Sequence, residues 1–395
     1  ARLPIFSPVG SDAAYTPEAG HYAGMKVPGE ANKAVLADLK ANGSLMHSGT
    51  VHHSYPYCWR CGNKLIFLAT KQWFMNVKRM KNRLLKQNQK IKWYPPETQK
   101  WEDDILTNSP DWCISRQRYW GIPMPIWVCA KCGSKSVIGS KQELEKRATN
   151  PEYIRFMDDL HRPHIDKAHV KCECGGSMDR IPDVFDVWWD SSIAFRAGIP
   201  AEQFGKFLAT ELVLEYVEQI RGWFQAMLKA GMMVYGKNPM RNVVVHGILF
   251  GKDGKKLSKS LGNYSPLDDM LKFATADAFR LWATLTNPIL NRTLNEQAMQ
   301  AIKDSEKVVN ILHNASKLLS EYEELLKYKP AVKKINPKGL DSIDEWMVSR
   351  LESVTEAVTR HLDGYEAYKA AAVLKDFIVE DFSRFYIKLA KKRIL

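Results

Sequence analysis

The sequence predicts an α/β core that carries a cysteine-bearing insert and is followed by an all-α bundle. Three observations predict it. VVVHGILF (243–250) is an unbroken apolar run ending in a glycine-rich loop, the pattern of a strand buried in a parallel sheet. Two close cysteine pairs, Cys129/Cys132 and Cys172/Cys174, fall within residues 126–180. From residue 266 onward, apolar residues recur at helical spacing.

Residues 1–55 are rich in Gly, Pro, Ser and His and read as the end of a mixed, β-rich region. KLIFLATKQWFM (64–75) alternates as a strand leading into a helix. The basic stretch after it holds Lys78, Arg79, Lys81, Arg83, Lys86, Lys90 and Lys92, with Val77, Met80, Leu84 and Leu85 at helical spacing. That stretch fits a solvated face or a phosphate-contacting one. Residues 126–180 form the insert and 181–265 return to α/β character, with 205–235 read as an amphipathic helical region. Ile302, Val309, Leu312, Leu319, Tyr322 and Leu326 line a helix over 299–327. YKPAVKKINPKG (328–339) breaks that pattern with Pro and Gly. Two more amphipathic helices follow, at 341–362 and 366–391, as in a helical bundle.

The 395 residues, 45% of them hydrophobic, suffice for two or three domains with cores. Twelve Trp, 15 Tyr and 15 Phe exclude a disordered chain. No apolar run reaches the roughly 18 residues a membrane span needs, so no membrane partner is expected. ARLPIFSPVG lacks the basic start and apolar stretch of a signal peptide. A net charge of +13 attracts polyanions, nucleic acid first among them. Seven cysteines in a chain this long suit metal ligation in a reducing compartment better than a disulfide framework. Cys129-x2-Cys132 and Cys172-x-Cys174, followed by Gly133, Gly175 and Gly176, have the form of two knuckles of a four-thiolate zinc site. Cys58/Cys61 is a half-site for which no stable metal is expected. Cys113 reads as buried packing.

The sharpest local signal is GKDGKKLSKSLGN (251–263). Lys255, Lys256 and Lys259 lie among small residues, which suits a polyphosphate whose charge shifts during reaction. An exposed lysine loop would look the same by composition. Lys256-Leu257-Ser258-Lys259-Ser260 is similar to the KMSKS signature of class I aminoacyl-tRNA synthetases, with Leu for the usual Met. Three other segments agree. YPYCWRCGNKLIFLATKQWFM (55–75) and DWCISRQRYWGIPMPIW (111–127) resemble the family's stretches around the return into the catalytic core. DVFDVWWDSS (183–192) resembles the isoleucyl pattern rather than the valyl or leucyl ones.

The resemblance implies the second half of a Rossmann-type nucleotide-binding catalytic domain with a zinc-binding insert, followed by an all-α anticodon-binding helical bundle. Residues 1–55 would be the tail of the editing domain and 56–125 the return into the core. The zinc-binding insert would cover 126–180, the Rossmann half 181–265, linking helices 266–300 and a partial anticodon-binding bundle 301–395. The implied chemistry is ATP-dependent activation of isoleucine and its transfer to tRNA(Ile), with ATP as substrate, Mg2+ and Zn2+, in the cytoplasm. Lys256 and Lys259 would bind ATP phosphates and be the catalytic residues. Ser258, His246 and Gly247 would complete the nucleotide site. Trp188, Glu215, Gln219 and Trp223 would bind the amino acid. Cys129, Cys132, Cys172 and Cys174 would hold zinc.

Two departures stand out. Where the family usually reads Glu-Gly-Ser-Asp-Gln-His-Arg-Gly-Trp, this chain has Tyr216 for the Gly and Glu218 for the Asp. No equivalent of the family's N-terminal His-Ile-Gly-His signature is found; His52-His53 do not fit it. Little aminoacylation by this chain alone is therefore expected, with a missing N-terminal half as an expected partner. The competing readings are a non-catalytic tRNA-binding remnant, the large subunit of a split synthetase, and a valyl or leucyl enzyme.

Overall fold

A strand with three consecutive valines needs cover on both faces, and the fold supplies it. The computed structural model describes residues 6–58, 61–206, 209–257, 262–263, 266–327 and 339–394. In it Met240–His246 is the central strand of a three-stranded parallel sheet, between Thr210–Tyr216 and Lys92–Tyr94. Val243, Val244 and Val245 are all buried. Register pairs Glu215 with Val245 and Tyr216 with His246, so two strands end level with each other. The helix Trp223–Val234 buries eight residues, Phe224 and Leu228 among them. Phe224 meets Trp93 of the Lys92–Tyr94 strand edge-on at 5.7 Å. The Trp93 indole N–H donates to Asn88 Oδ1 at 3.0 Å, so its burial leaves no orphan donor.

By contact, the chain divides into two compact units, residues 1–74 with 113–116, and residues 75–112 with 117–395. The first holds the helix Glu30–Ala41, with Ala31 buried. Expected as a strand, residues 64–73 stay irregular apart from a bridge between Tyr57 and Lys64. Leu65 and Phe67 are exposed, so no buried face rewards the alternation. Cys113 is half-buried rather than fully buried, with its thiol 3.5 Å from Gln72 Oε1.

The second unit contains the sheet, the insert and the helical region. In the basic stretch Val77, Met80 and Leu84 are buried while Lys78, Arg79, Arg83, Lys86, Lys90 and Lys92 are exposed, as a solvated face and a phosphate-contacting face would both require. The expected helix over 205–235 begins only at Trp223. Thr210–Tyr216 is a strand instead, because parallel pairing with Met240–His246 overrides its helical spacing. The insert is a four-stranded antiparallel sheet in the order Lys135–Val137, Ile126–Cys129, Ser177–Arg180, Val170–Lys171. Trp127, Leu144, Ile154, Val170 and Met178 form its own core.

Capping side chains start the helices of the C-terminal region. Thr275, Asn295 and Asp341 accept backbone N–H groups at the starts of Ala276–Thr284, Glu296–Leu325 and Ser342–Asp363. Trp282 packs with Ile302 between the first two. Ser342–Asp363 packs on Ala367–Asp376 and the π-helical stretch Phe377–Ile387, through Met347, Val354 and Phe377. The expected linker lies almost wholly outside the described residues. Among the described residues no helix is long and apolar enough to cross a membrane.

Candidate active site and cysteine centre

Ligands of open parallel sheets bind beyond the carboxyl ends of the strands. Here those ends carry Glu215, Tyr216 and His246. A 3₁₀ turn, Val217–Arg221, leads from Tyr216 through Gly222 into the helix that starts at Trp223. Gln219 caps that start, its Oε1 accepting the Trp223 backbone N–H at 3.0 Å. The Trp223 indole N–H donates to the Ser191 carbonyl at 2.8 Å, tying the turn to the helix Val187–Ser192 that bears Trp188. Gly222 closes the arrangement. A Cβ there would lie 2.5 Å from Gln219 Oε1 and 3.1 Å from the Trp188 ring. Trp188, Gln219 and Trp223 are therefore brought together, and Trp188 keeps 40% of its surface exposed; Glu215 lies on the strand that leads into the turn, its carboxylate accepting the Tyr216 backbone N–H at 3.1 Å.

Lys256 reaches the same turn. Its Nζ donates to Glu218 Oε2 at 3.5 Å and lies 5.0 Å from the centre of the Tyr216 ring. Tyr216 Oη donates to the same carboxylate at 2.8 Å, which holds the Glu218 carboxyl below its usual range, with Lys256 adding to the effect. His246 lies near Tyr216, ring centres 6.3 Å apart. Gly247 has a packing reason of its own, since a Cβ there would lie 2.6 Å from the Leu290 backbone. Ser258 and Lys259 lie outside the described residues.

Residues that the sequence did not single out surround this site. Asp190, two residues after Trp188, has a buried Oδ1 without a hydrogen-bond partner, and burial, with Asp186 adding, pushes its carboxyl above the usual range. Glu102 is fully buried, neither carboxyl oxygen is bonded, and burial pushes it up to about 8. Lys229, on the Trp223–Val234 helix, donates to Ser109 Oγ at 2.7 Å and to Gln225 Oε1; burial pulls it down to about 8. Neither shows as a pattern in sequence, because a single polar residue on an apolar helix face has no motif. Gly222 was legible in the Gly-Trp pair, though only as part of the family pattern.

The four cysteines of the insert converge, with all sulfurs within 4.8 Å of one another. Cys129 Sγ lies 3.6 Å from Cys174 Sγ, and Cys132 Sγ 3.6 Å from Cys172 Sγ, spacings a tetrahedral thiolate site requires. Each knuckle turns at a glycine in the left-handed region, Gly133 (φ 71°) and Gly175 (φ 79°). A Cβ on Gly176 would lie 3.0 Å from Cys129 Sγ, so a side chain there would crowd the sulfurs. The backbone amides of Cys132 and Lys131 help lower the Cys129 thiol to about 6, while, against the Gly176 amide, hydrogen bonds from the neighbouring thiols push the Cys174 thiol up, so the cluster favours a thiolate at Cys129 first.

With this geometry in view, two family models match. Residues 22–295 match the tRNA synthetases class I (I, L, M and V), and 344–395 the anticodon-binding domain of tRNA ligase. The isoleucine–tRNA ligase of Methanothrix thermoacetophila is 38% identical over 99% of this chain, and that of Methanosarcina mazei 40% identical over 99%. The chain spans 37% of the length of each. A Mycobacterium tuberculosis methionyl-tRNA synthetase bound by methionyl-adenylate shares the fold, with TM-score 0.55, 15% identity, and coverage of 86% of this chain and 57% of that one. A leucyl enzyme of Agrobacterium radiobacter K84, solved with tRNA, gives TM-score 0.53 at 20% identity, covering 72% of this chain and 36% of that one. Residues 22–295 and 344–395 thus fall within two models of one enzyme family, and the chain belongs to the class I aminoacyl-tRNA synthetases, with isoleucine–tRNA ligases among its relatives.

Proposed function

We propose that this chain is part of an isoleucine–tRNA ligase, carrying the amino-acid pocket and the phosphate-binding loop of its active site. The observation that carries this reading is the meeting of Lys256 with the turn between Glu215 and Trp223 at the carboxyl ends of the parallel strands. In it Trp188 and Trp223 wall a pocket for a branched apolar side chain, recognised by area and shape. Glu215 and Gln219 hold the polar end of the amino acid. Lys256 and Lys259, with Ser258, neutralise the phosphates of ATP, which arrives with Mg2+, while His246 and Gly247 flank the nucleotide. The carboxylate of isoleucine attacks the α-phosphorus and pyrophosphate leaves; a ribose hydroxyl of the terminal adenosine of tRNA(Ile) then takes the acyl group and AMP leaves. The protein's part is positioning and charge stabilisation.

One zinc would be held by Cys129, Cys132, Cys172 and Cys174; when bound it cross-links the two knuckles. Residues 126–180 are then a zinc-binding insert, and 181–265 a Rossmann-type half-domain. The bundle from 301 would read unstacked anticodon bases and hold phosphates through Lys391 and Lys392. Arg393 is committed to Asp341 and Asp344. A segment supplying the family's N-terminal signature would complete catalysis.

The test is calorimetric binding of non-hydrolysable isoleucyl-, valyl- and leucyl-adenylate mimics. The isoleucyl mimic should bind tightest, and Trp188→Ala should weaken it by about tenfold or more, the loss of one aromatic wall. Tighter binding of the valyl or leucyl mimic would overturn the isoleucine reading.

A further inference from the structure

Tyr216 and Glu218, two of the departures from the family pattern, meet each other and Lys256. Tyr216 Oη donates to Glu218 Oε2 at 2.8 Å, the same oxygen accepts from Lys256 Nζ at 3.5 Å, and the ammonium stands 5.0 Å from the Tyr216 ring centre. A glycine at 216 offers neither hydroxyl nor ring, and an aspartate at 218 is one methylene shorter. The two departures thus act together, and both bear on the lysine of the phosphate loop.

We infer that Tyr216 and Glu218 form a clamp that holds Lys256 in the absence of nucleotide and that an incoming polyphosphate must displace. The inference rests on the assignment of Lys256 to phosphates. Glu218 and Lys256 side chains are 64% and 52% exposed. An exposed ion pair is weak, as is an exposed cation–π contact. The clamp is therefore one that several phosphate charges overcome, at a cost in affinity rather than a block. Tyr216 and Glu218 are positioning residues for Lys256.

Calorimetric titration of the full chain with sodium tripolyphosphate tests this as a double-mutant cycle. Glu218→Gln should tighten binding by about two- to tenfold, the range expected for an exposed pair. In a Lys256→Gln background that gain should vanish, because the clamp acts through the ammonium. No gain from Glu218→Gln overturns the clamp. An equal gain in the Lys256→Gln background overturns it too, since that would be plain repulsion of phosphate by a nearby carboxylate. Should Lys256→Gln alone leave binding unchanged, the assignment of Lys256 to phosphates falls. Both side chains are exposed, so the variants should fold, and circular dichroism checks that they do.

Discussion

Single residues set the shape of the pocket, and Gly222 sets it most directly. Its missing Cβ leaves room for Gln219 Oε1 and the Trp188 ring. Gly222→Ala should push Gln219 off the Trp223 amide, costing about 1–2 kcal/mol as a lost cap and local overpacking. Urea unfolding measures that loss, and binding of the isoleucyl-adenylate mimic should weaken with it. Trp188, Gln219 and Trp223 were singled out only through the resemblance to the family, since a tryptophan by itself reads as core. Their convergence was not legible, because it depends on the Trp223–Ser191 hydrogen bond across 32 residues. Tyr216 was legible only as a departure from a pattern; its contact with Lys256 required the loop and the turn to be seen together.

At the scale of elements, the helix Thr98–Asn108 buries Glu102 near Lys229 of the helix that carries Trp223. With its folded pKa raised to about 8, Glu102 is protonated in the folded chain and ionised in the unfolded chain between roughly pH 4.5 and 8. Its contribution to stability is therefore intact below about pH 4.5 and declines as pH rises to about 8. Glu102→Gln removes that decline. Relative to the parent, the variant should gain about 1–3 kcal/mol between pH 5 and pH 8, read by urea unfolding at both values. Equal differences at the two pH values would rule the linkage out. Elements with a strong period were legible: the valine strand and the helices from 296 onward fall where their spacing puts them. Thr210–Tyr216 was misread, because a short apolar stretch has the same local pattern in a helix and a strand, and its partner strand lies 30 residues away.

For the whole molecule, the cysteine insert has a core separate from that of the parallel sheet. Metal loss should therefore be felt locally. Zinc analysis should find one tightly held ion per chain, and chelation should raise hydrogen exchange within 126–180 while the strands Thr210–Tyr216 and Met240–His246 stay protected. Two tight zincs would contradict the single-site assignment and point to Cys58 and Cys61. Fast exchange throughout after chelation would mean the insert also supports the sheet. The order of parts along the chain was legible because the cysteine pairs, the lysine loop and the helical periodicity are all local signals. The two-unit division was not, since it joins 113–116 to the first 74 residues across the sequence.

The root of the lysine loop carries one more consequence. Lys256 is bridged to Phe250, and Gly251 N–H donates to the Lys255 carbonyl at 2.8 Å, closing a tight reversal whose bend is Gly254 at φ 69°. In paired backbone successive side chains alternate sides. Inserting a single uncharged residue between Gly251 and Lys255 would thus swing the ammonium to the opposite flank, away from Glu218, with every charge in the segment still present. The loop's length, as much as its lysine content, is what aims it.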